Sequence, residues 1–197
     1  MPPRVVFHHV AKCAGTTVLK FLEGTAPPEG AAFLEALVGA PDPHGIDRLA
    51  AVLRAGFLHD PFGVHDWRGL FGDVLSVIFL RDPVERLWSE WRMITRWDDG
   101  LVDARGARYR HLRDVARTGF GAFMALPGAA AFANALACHL AWGEPVLGKV
   151  REACRPGVDP PPDLERLLDA RLAAIDVVGF VDDFDESFTR EIGRAHV

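Results

Sequence analysis

The most constraining feature of this sequence is a nearly continuous apolar run, Val74–Leu80 (VLSVIFL), that ends in a charged turn. Successive apolar residues place apolar side chains on both faces of a strand. This pattern is typical of parallel sheets, in which helices cover both faces. In the turn, Asp82 suits a helix N-cap and Pro83 the first helical position. The run therefore predicts a buried parallel strand followed directly by a helix, Pro83–Arg96.

Two other short runs, Arg4–Val10 (RVVFHHV) and Asp176–Phe180 (DVVGF), also have the composition of strands. Segments with apolar residues at helical spacing alternate with these strands. The alternation predicts an α/β fold in which a parallel β-sheet is flanked by helices. Helical patterns occupy Val18–Leu22, Ala31–Val38, Ile46–Arg54, Tyr109–Arg117, Ala129–Trp142, Val146–Ala153, Leu164–Ile175 and Asp183–Ile192. The expected loop and linker are Trp97–Arg108 and Pro156–Pro162.

Composition excludes several classes of protein. The formal charge of −5 argues against a general nucleic-acid binder, which normally presents a basic surface. The three cysteines are widely spaced and form no zinc-ligand pattern, so no metal is expected. No apolar run has the length of a membrane helix, and we expect a cytoplasmic protein unless an upstream anchor is missing. The wealth of Ala, Gly, Arg and Pro is typical of a bacterial gene of high GC content.

The last seven residues, Glu191–Val197 (EIGRAHV), resemble the translation of a common sequencing-library adapter. We therefore expect residues 1–190 to form a single domain that is incomplete at its C-terminus. Residues 191–197 are then a non-native tail.

The segment after the first strand, residues 11–17 (AKCAGTT), has the chemistry of an anion-binding loop. Backbone N–H groups converge in such a loop, and the N-terminus of the next helix adds about half a positive charge. Lys12 supplies a full charge and Gly15 permits close backbone approach. The hydroxyls of Thr16 and Thr17 can also donate. An ordinary strand-turn-helix connection is the alternative.

The residue order separates this loop from the P-loop of ATP- and GTP-binding proteins, in which lysine directly follows the second glycine. Here Lys12 precedes Gly15. The segment that begins at His9 resembles the 5′-phosphosulfate loop of the sulfotransferases that use 3′-phosphoadenosine 5′-phosphosulfate (PAPS). Its carbohydrate branch, which includes the heparan sulfate 2-O-sulfotransferases, often reads H-I-P-K-T-G-G-T-S; Ala11 replaces the proline and a Cys-Ala pair replaces Thr-Gly. The PAPS-binding residues so implied are Lys12, Cys13, Ala14, Gly15, Thr16 and Thr17.

The turn after the second buried strand resembles the 3′-phosphate motif of the same family, R-D-P-[VI]-x-R-x-x-S, with Arg81 first and Ser89 last. An arginine at the carboxyl end of a buried strand faces the crevice where doubly wound sheets bind ligands. Its planar guanidinium can hold a phosphate through two hydrogen bonds. The alternative is that Arg81 pairs with Asp82 or Glu85. The two motifs together, in the right order, favour the phosphate site.

A candidate general base comes from residues 59–63 (HDPFG), which resemble a family segment reading G-H-x-P-F-G, with Leu58 in place of the glycine. The resemblance implies that His59 accepts the proton of the acceptor hydroxyl, and an imidazole titrates near neutrality. Other histidines compete for this role. His9 matches a structural histidine of the family, and His65 could line the acceptor site.

The resemblance continues to Phe188. Residues 134–143 (NALACHLAWG) resemble a family helix, although Cys138 stands where relatives have arginine, and residues 177–188 resemble a strand and helix near the family's end. Several other side chains are expected to be structural or solvated, with ligand contact or metal binding as the alternative. They are Trp88, Trp91 and Trp97 (packing), Arg86 and Arg92 (solvated helix charges) and the acidic residues 182–186 (a helix N-terminus).

The resemblance implies a P-loop NTPase-like sulfotransferase fold and transfer of a sulfuryl group from PAPS to a hydroxyl, with a carbohydrate as the expected acceptor. His59 and Lys12 are the implied catalytic residues, and Arg81 and Ser89 the implied 3′-phosphate contacts. Two alternatives stay open: a catalytically inactive module that binds glycan or the desulfated nucleotide (PAP), and a small-molecule kinase of similar fold. No nucleic-acid partner and no metal cofactor are expected.

Overall fold

The structure is a computed structural model that describes residues 4–25, 31–33, 57–60, 67–127, 129–142 and 162–187. Its described strands form one five-stranded sheet in which every pairing is parallel. The strands, in chain order, are β1 (Arg4–His8), β2 (Ala31–Phe33), β3 (Phe57–Asp60), β4 (Val74–Leu80) and β5 (Val177–Phe180). They lie side by side in the order β2-β3-β1-β4-β5. The predicted parallel sheet is confirmed.

Ten helices are described. They are α1 (Gly15–Thr25), α2 (Arg68–Phe71), α3 (Pro83–Thr95), α4 (Asp99–Arg105), α5 (Ala107–Thr118), α6 (Phe120–Met124), α7 (Ala129–Ala133), α8 (Ala135–Trp142), α9 (Leu164–Ala173) and α10 (Phe184–Ser187). The described residues divide into two compact units: one contains the sheet with α1, α2, α9 and α10, and the other begins at Asp82 and contains α3 to α7. Helix α8 begins in the second unit and belongs to the first from Ala137 onward.

Side chains of the sheet alternate between two apolar layers, because successive residues of a strand point to opposite faces. On one face Phe7, Phe57 and Val77 form a core with Val18 of α1, against which Phe184 of α10 packs. On the other face the core consists of Val6, Leu58 and Val74, with Trp67 and Phe71 packed against it. Both faces are therefore covered, as the apolar run of β4 predicts.

The second unit has its own core. Leu87 and Ile94 of α3 pack with Ala116 and Phe123, and the indole N–H of Trp91 donates to the carbonyl of Ala116 at 2.9 Å. Trp91 and Trp97 pack against this core, as expected for them. The third tryptophan expected to pack, Trp88, keeps 42% of its surface exposed, although its ring lies against those of Trp91 and Phe120.

Several elements differ from the sequence-based predictions. Ala31–Phe33 is a strand, although a helix was predicted from Ala31, because its backbone pairs with β3 and such long-range pairing overrides local spacing. The polar segment predicted as a loop contains α4, whose first turn is capped by Asp98, which accepts from Leu101 N at 2.7 Å. The four-residue strand β3 was not predicted. The helical pattern at 129–142 is divided between α7 and α8.

Other predictions fall where the structure gives no description. The helices predicted at Ile46–Arg54 and Val146–Ala153, most of the linker Pro156–Pro162, the histidine His65 and the tail 191–197 lie outside the described residues. The predicted helices at Pro83–Arg96, Tyr109–Arg117 and Leu164–Ile175 are confirmed, with ends that differ by one or two residues.

Candidate functional site

The carboxyl ends of β1 and β4 form the candidate site. From β1 the chain passes to β2 on one side of the sheet, whereas β4 leads to β5 on the other side. Adjacent strands with connections of opposite direction form a topological switch point, where parallel α/β sheets open a ligand crevice. His8 and Ile78 are paired across these strands. Lys12 and Arg81 follow closely, and they therefore emerge at the same edge of the sheet.

The backbone of the first loop has the alternating conformation of an anion-binding concavity. Lys12 and Ala14 have positive φ angles of 70° and 58°, whereas Cys13 between them does not. A left-handed conformation costs a residue other than glycine about 1–2 kcal/mol. Alternation of this kind turns successive N–H groups towards one point. Within the described part of the chain, neither the Lys12 N–H nor the Ala14 N–H donates to a backbone carbonyl.

Backbone hydrogen bonds and one buried side chain fix the loop. The Cys13 N–H donates to the Val10 carbonyl at 3.2 Å, and the Cys13 side chain is fully buried. The Ala14 carbonyl accepts from Thr17 N at 2.9 Å, which begins the hydrogen bonding of α1. The Cys13 N–H is therefore engaged within the loop and its side chain is buried, whereas Ala14 can offer its backbone N–H. Thr16 and Thr17 are exposed at the start of α1.

Gly15 has a packing role that the sequence did not reveal. A Cβ atom placed on Gly15 would lie 1.8 Å from Nε2 of His9 and 2.3 Å from its Cδ2, which is far inside contact distance. The tip of the His9 ring therefore occupies the space that any larger residue at position 15 would need. Gly15 was predicted to permit close approach of a ligand, and in the structure it permits close approach of His9.

His9 also contacts the predicted base. Nδ1 of His9 lies 2.8 Å from Nε2 of His59, a hydrogen-bond distance, between residues 50 apart in sequence. The ring of Phe7 stacks on His9 with a centroid distance of 5.5 Å and an interplanar angle of 17°. His59 lies on β3 with only 2% of its surface exposed. The candidate base is thus an interior residue whose Nε2 is engaged by His9.

Burial controls the titration of both rings. Burial, and then His9, lowers the pKa of His59 from 6.5 to about 4, against a smaller opposing effect of the carboxylate of Asp60. Burial, and then the positive charge of Lys12, lowers the pKa of His9. Both imidazoles are neutral at pH 7. The expectation that His59 titrates near neutrality is therefore wrong, because the interior disfavours its charged form.

Asp60 lies on the opposite face of the sheet from His59, since the two are successive residues of β3. Its carboxylate accepts from the indole N–H of Trp67 at 2.8 Å and lies 3.8 Å from Nδ1 of His8. Its carbonyl accepts from His9 N at 2.8 Å. Asp60 is fully buried and fixes the end of β3 beside β1. The sequence did not predict this structural role of Asp60. Once β3 is known to be a strand, alternation places Asp60 and His59 on opposite faces of the sheet.

The second motif begins where β4 ends. Arg81 is half-buried one residue after the strand. Oδ1 of Asp82 accepts from the N–H groups of Val84 and Glu85, both at 2.9 Å, so this oxygen caps α3 as predicted. Ser89 lies on α3, in the second unit. The structure thus places Arg81 at the same sheet edge as Lys12, and a phosphate contact by Ser89 stays a prediction.

A comparison of this chain with protein-family models, with curated proteins and with solved structures finds no match.

One arginine of the motif was wrongly expected to be solvated. Arg86 is only 1% exposed, and its guanidinium donates to Glu90 at 3.3 Å and to the carbonyl of Phe132. It therefore stabilises the second unit from within, whereas Arg92 is exposed, as expected.

Neither a metal cluster nor a membrane-spanning helix is found among the described residues. Within the ranges that the structure describes, no group of three or more His, Cys, Asp or Glu side chains is arranged to hold a metal ion. Among the described helices, none has the length and apolar character needed to cross a bilayer.

Proposed function

We propose that this chain is a sulfotransferase that moves a sulfuryl group from PAPS to a hydroxyl group of a carbohydrate. The observation that carries the proposal is the emergence of Lys12 and Arg81 from adjacent parallel strands at the switch point of the sheet. PAPS carries anionic groups at its 5′ and 3′ positions and needs two cationic sites. The proposal includes the P-loop NTPase-like sulfotransferase fold, in which a parallel sheet is flanked by helices.

The 5′-phosphosulfate is assigned to the first loop. The alternating φ angles at Lys12 and Ala14 and the start of α1 at Gly15 supply N–H donors and a partial positive charge. Lys12 adds a full charge, and Thr16 and Thr17, whose side chains carry hydroxyls, are exposed there. These features suit the 5′-phosphate, whose negative charge grows as the sulfuryl group is transferred.

The 3′-phosphate is assigned to Arg81, and a contact of Ser89 with this phosphate remains a prediction from the motif alone. A guanidinium holds phosphate through two parallel hydrogen bonds, which gives orientation as well as attraction. Asp82 directly after Arg81 caps α3, because its Oδ1 accepts from the N–H groups of Val84 and Glu85. A preference for PAP over adenosine 5′-phosphate follows from this assignment.

The proposed reaction is an in-line displacement at sulfur. The oxygen of the acceptor hydroxyl forms a bond to sulfur, the bond between sulfur and the 5′-phosphate oxygen breaks, and PAP leaves with the bonding electrons. His59 takes the proton of the hydroxyl, and Lys12 with the loop N–H groups offsets the charge on the leaving phosphate. We place this reaction in the cytoplasm.

One observation favours a second candidate, a module that binds PAP or glycan without catalysis. A base needs access to its substrate, yet His59 is 2% exposed and the pKa of its imidazole is lowered to about 4. A group of this kind is a weak proton acceptor at pH 7. The loop and Arg81 could bind a nucleotide even where transfer does not follow.

The test has two stages. Calorimetry first measures PAP binding, with adenosine 5′-phosphate as the ligand that lacks the 3′-phosphate. Transfer of radiolabelled sulfate from PAPS to a panel of polysaccharides is measured next. Binding that depends on the 3′-phosphate together with labelling of a polysaccharide supports the sulfotransferase; such binding without labelling supports the inactive module. Equal binding of both nucleotides contradicts the Arg81 assignment, and phosphate transfer from ATP would point to a kinase.

A further inference from the structure

His9 joins the anion loop to the predicted base. The Nε2 end of its ring meets Gly15, as the 1.8 Å separation from a hypothetical Cβ shows, and the Nδ1 end lies 2.8 Å from Nε2 of His59. Stacking on Phe7 fixes the plane of the ring between these two contacts. The imidazole of His9 thus connects Gly15 of the loop with His59 of β3.

The link between the two histidines permits only two arrangements when both rings are neutral, because one nitrogen must donate and the other accept. In the first, His9 Nδ1–H donates and His59 carries its own hydrogen on Nδ1. The Nε2 lone pair of His59 is then used by His9, and His59 cannot accept a proton elsewhere. In the second, His59 Nε2–H donates, His9 carries hydrogen on Nε2, and His59 has a lone pair on Nδ1.

The loop distinguishes these arrangements. Nε2 is the atom of His9 nearest Gly15, so only the second arrangement puts a hydrogen at the loop. An anion there favours a hydrogen over a lone pair, by simple electrostatics. Among the described residues, charged groups that act on the pair include Lys12 beside His9 and Asp60 next to His59. An anion that pairs with Lys12 also offsets the positive charge that acts on His9.

We propose that His9 is a positioning residue through which an anion in the loop selects the His59 tautomer that has its lone pair on Nδ1. The change conserves protons. The hydrogen of His9 Nδ1 passes to His59 Nε2, His59 Nδ1 loses one proton and His9 Nε2 takes one up. Both protons exchange with water, and because His59 Nδ1 is buried its exchange requires the site to open. Under the proposed function, on which this last step rests, binding of PAPS prepares His59 to receive the proton of the acceptor hydroxyl.

The first test needs no activity. Proton–nitrogen NMR of the whole chain, with ¹⁵N-labelled histidine and His59→Gln for assignment, reports which ring nitrogens carry hydrogen. PAP and, separately, inorganic pyrophosphate are added at neutral pH. We expect each to move His59 to the form with hydrogen on Nε2. In His9→Leu the anions still bind and the His59 signals no longer respond. His9→Asn keeps a hydrogen-bonding group near the Nδ1 position but not the ring tip, and it also loses the response.

The second test uses transfer kinetics. We expect His9→Leu to lower kcat by roughly tenfold to a hundredfold and to change KM for PAPS little. The upper figure equals the smallest contribution that a positioned general base usually makes. His9→Asn should restore part of kcat, since it can still hold His59. The exposed His111, changed to Gln, is the matched control and should change neither quantity.

The outcomes separate the two proposals. If the wild-type chain neither binds PAP nor transfers sulfate, the proposed function fails, and the response of His59 to pyrophosphate still decides the role of His9. A His59 spectrum that ignores every anion, or that responds equally in wild type and His9→Leu, overturns the positioning role. Should His9→Leu fail to fold, His9→Asn provides the same comparison.

Discussion

The ring of His9 occupies the space where a side chain on Gly15 would lie, with Nε2 only 1.8 Å from the Cβ position. The glycine of the loop is therefore required by the protein's own interior, whether or not a ligand is bound. Any larger residue at position 15 must displace the imidazole, and displacement breaks the 2.8 Å contact between His9 and His59.

Gly15→Ala should destabilise the chain by about 1–3 kcal/mol, as overpacking of a tight interior contact does. Urea denaturation monitored by circular dichroism measures this change. Gly69→Ala on α2 is the control, because a Cβ atom there meets nothing within 4 Å. Equal stability of the two variants would mean that His9 can move from Gly15 without cost.

Lys12→Ala and Arg81→Ala should each weaken PAP binding by roughly tenfold to a hundredfold, the loss expected for a hydrogen bond to a charged group. Each should also abolish labelling by PAPS. Only Arg81→Ala should remove the preference for PAP over adenosine 5′-phosphate. Calorimetry gives the affinities.

The matched controls for these two variants are Lys20→Ala on α1 and Arg92→Ala on α3, since both side chains are exposed. They should bind PAP as the wild type does. Affinity that falls equally in a variant and its control would show that general charge, rather than the site, attracts the nucleotide.

Acid should destabilise the chain through His59. Its pKa is lowered from 6.5 to about 4 on folding, so between these values the unfolded state binds more protons than the folded state. The contribution to stability is complete above pH 6.5 and is lost as the pH falls towards 4, by at most about 3 kcal/mol. His9, with a pKa lowered in the same direction, adds to the effect.

Denaturant titrations across this pH window measure the effect. His59→Gln should flatten the dependence of unfolding free energy on pH, whereas His111→Gln, at an exposed position, should leave it as in the wild type. A pH dependence that survives loss of His59 unchanged would contradict the buried, neutral state of this imidazole.

Asp82→Ala should lower stability by about 1 kcal/mol, because it leaves the N–H groups of Val84 and Glu85 at the start of α3 without their acceptor. Asp82→Asn should retain most of the stability, since asparagine is also a good N-cap. Thermal unfolding compares both with Asp73→Ala, which removes an exposed carboxylate outside any helix. Equal melting temperatures of the Asp82→Ala and Asp73→Ala variants would show that the Asp82 cap does not stabilise α3.

Local sequence signals were enough for the features that depend on neighbours in the chain. The apolar run of β4 and the Asp82-Pro83 start of α3 are both found where predicted. The position of Lys12 between β1 and α1 also follows from short-range pattern. Such signals failed for β3, which is only four residues long, and for α4, which buries only Val102 and so lacks apolar periodicity.

The sequence by itself determined a parallel α/β sheet and two cationic turns after buried strands, because strand composition, caps and loop chemistry act within a few residues. Only the tertiary structure decided that β1 lies between β3 and β4, which brings Lys12 and Arg81 to one edge of the sheet. It also decided that His59 is buried against His9 and that Arg86 is interior. Burial and hydrogen bonding between residues 50 positions apart depend on which strands become neighbours, and no local pattern in the chain encodes that choice.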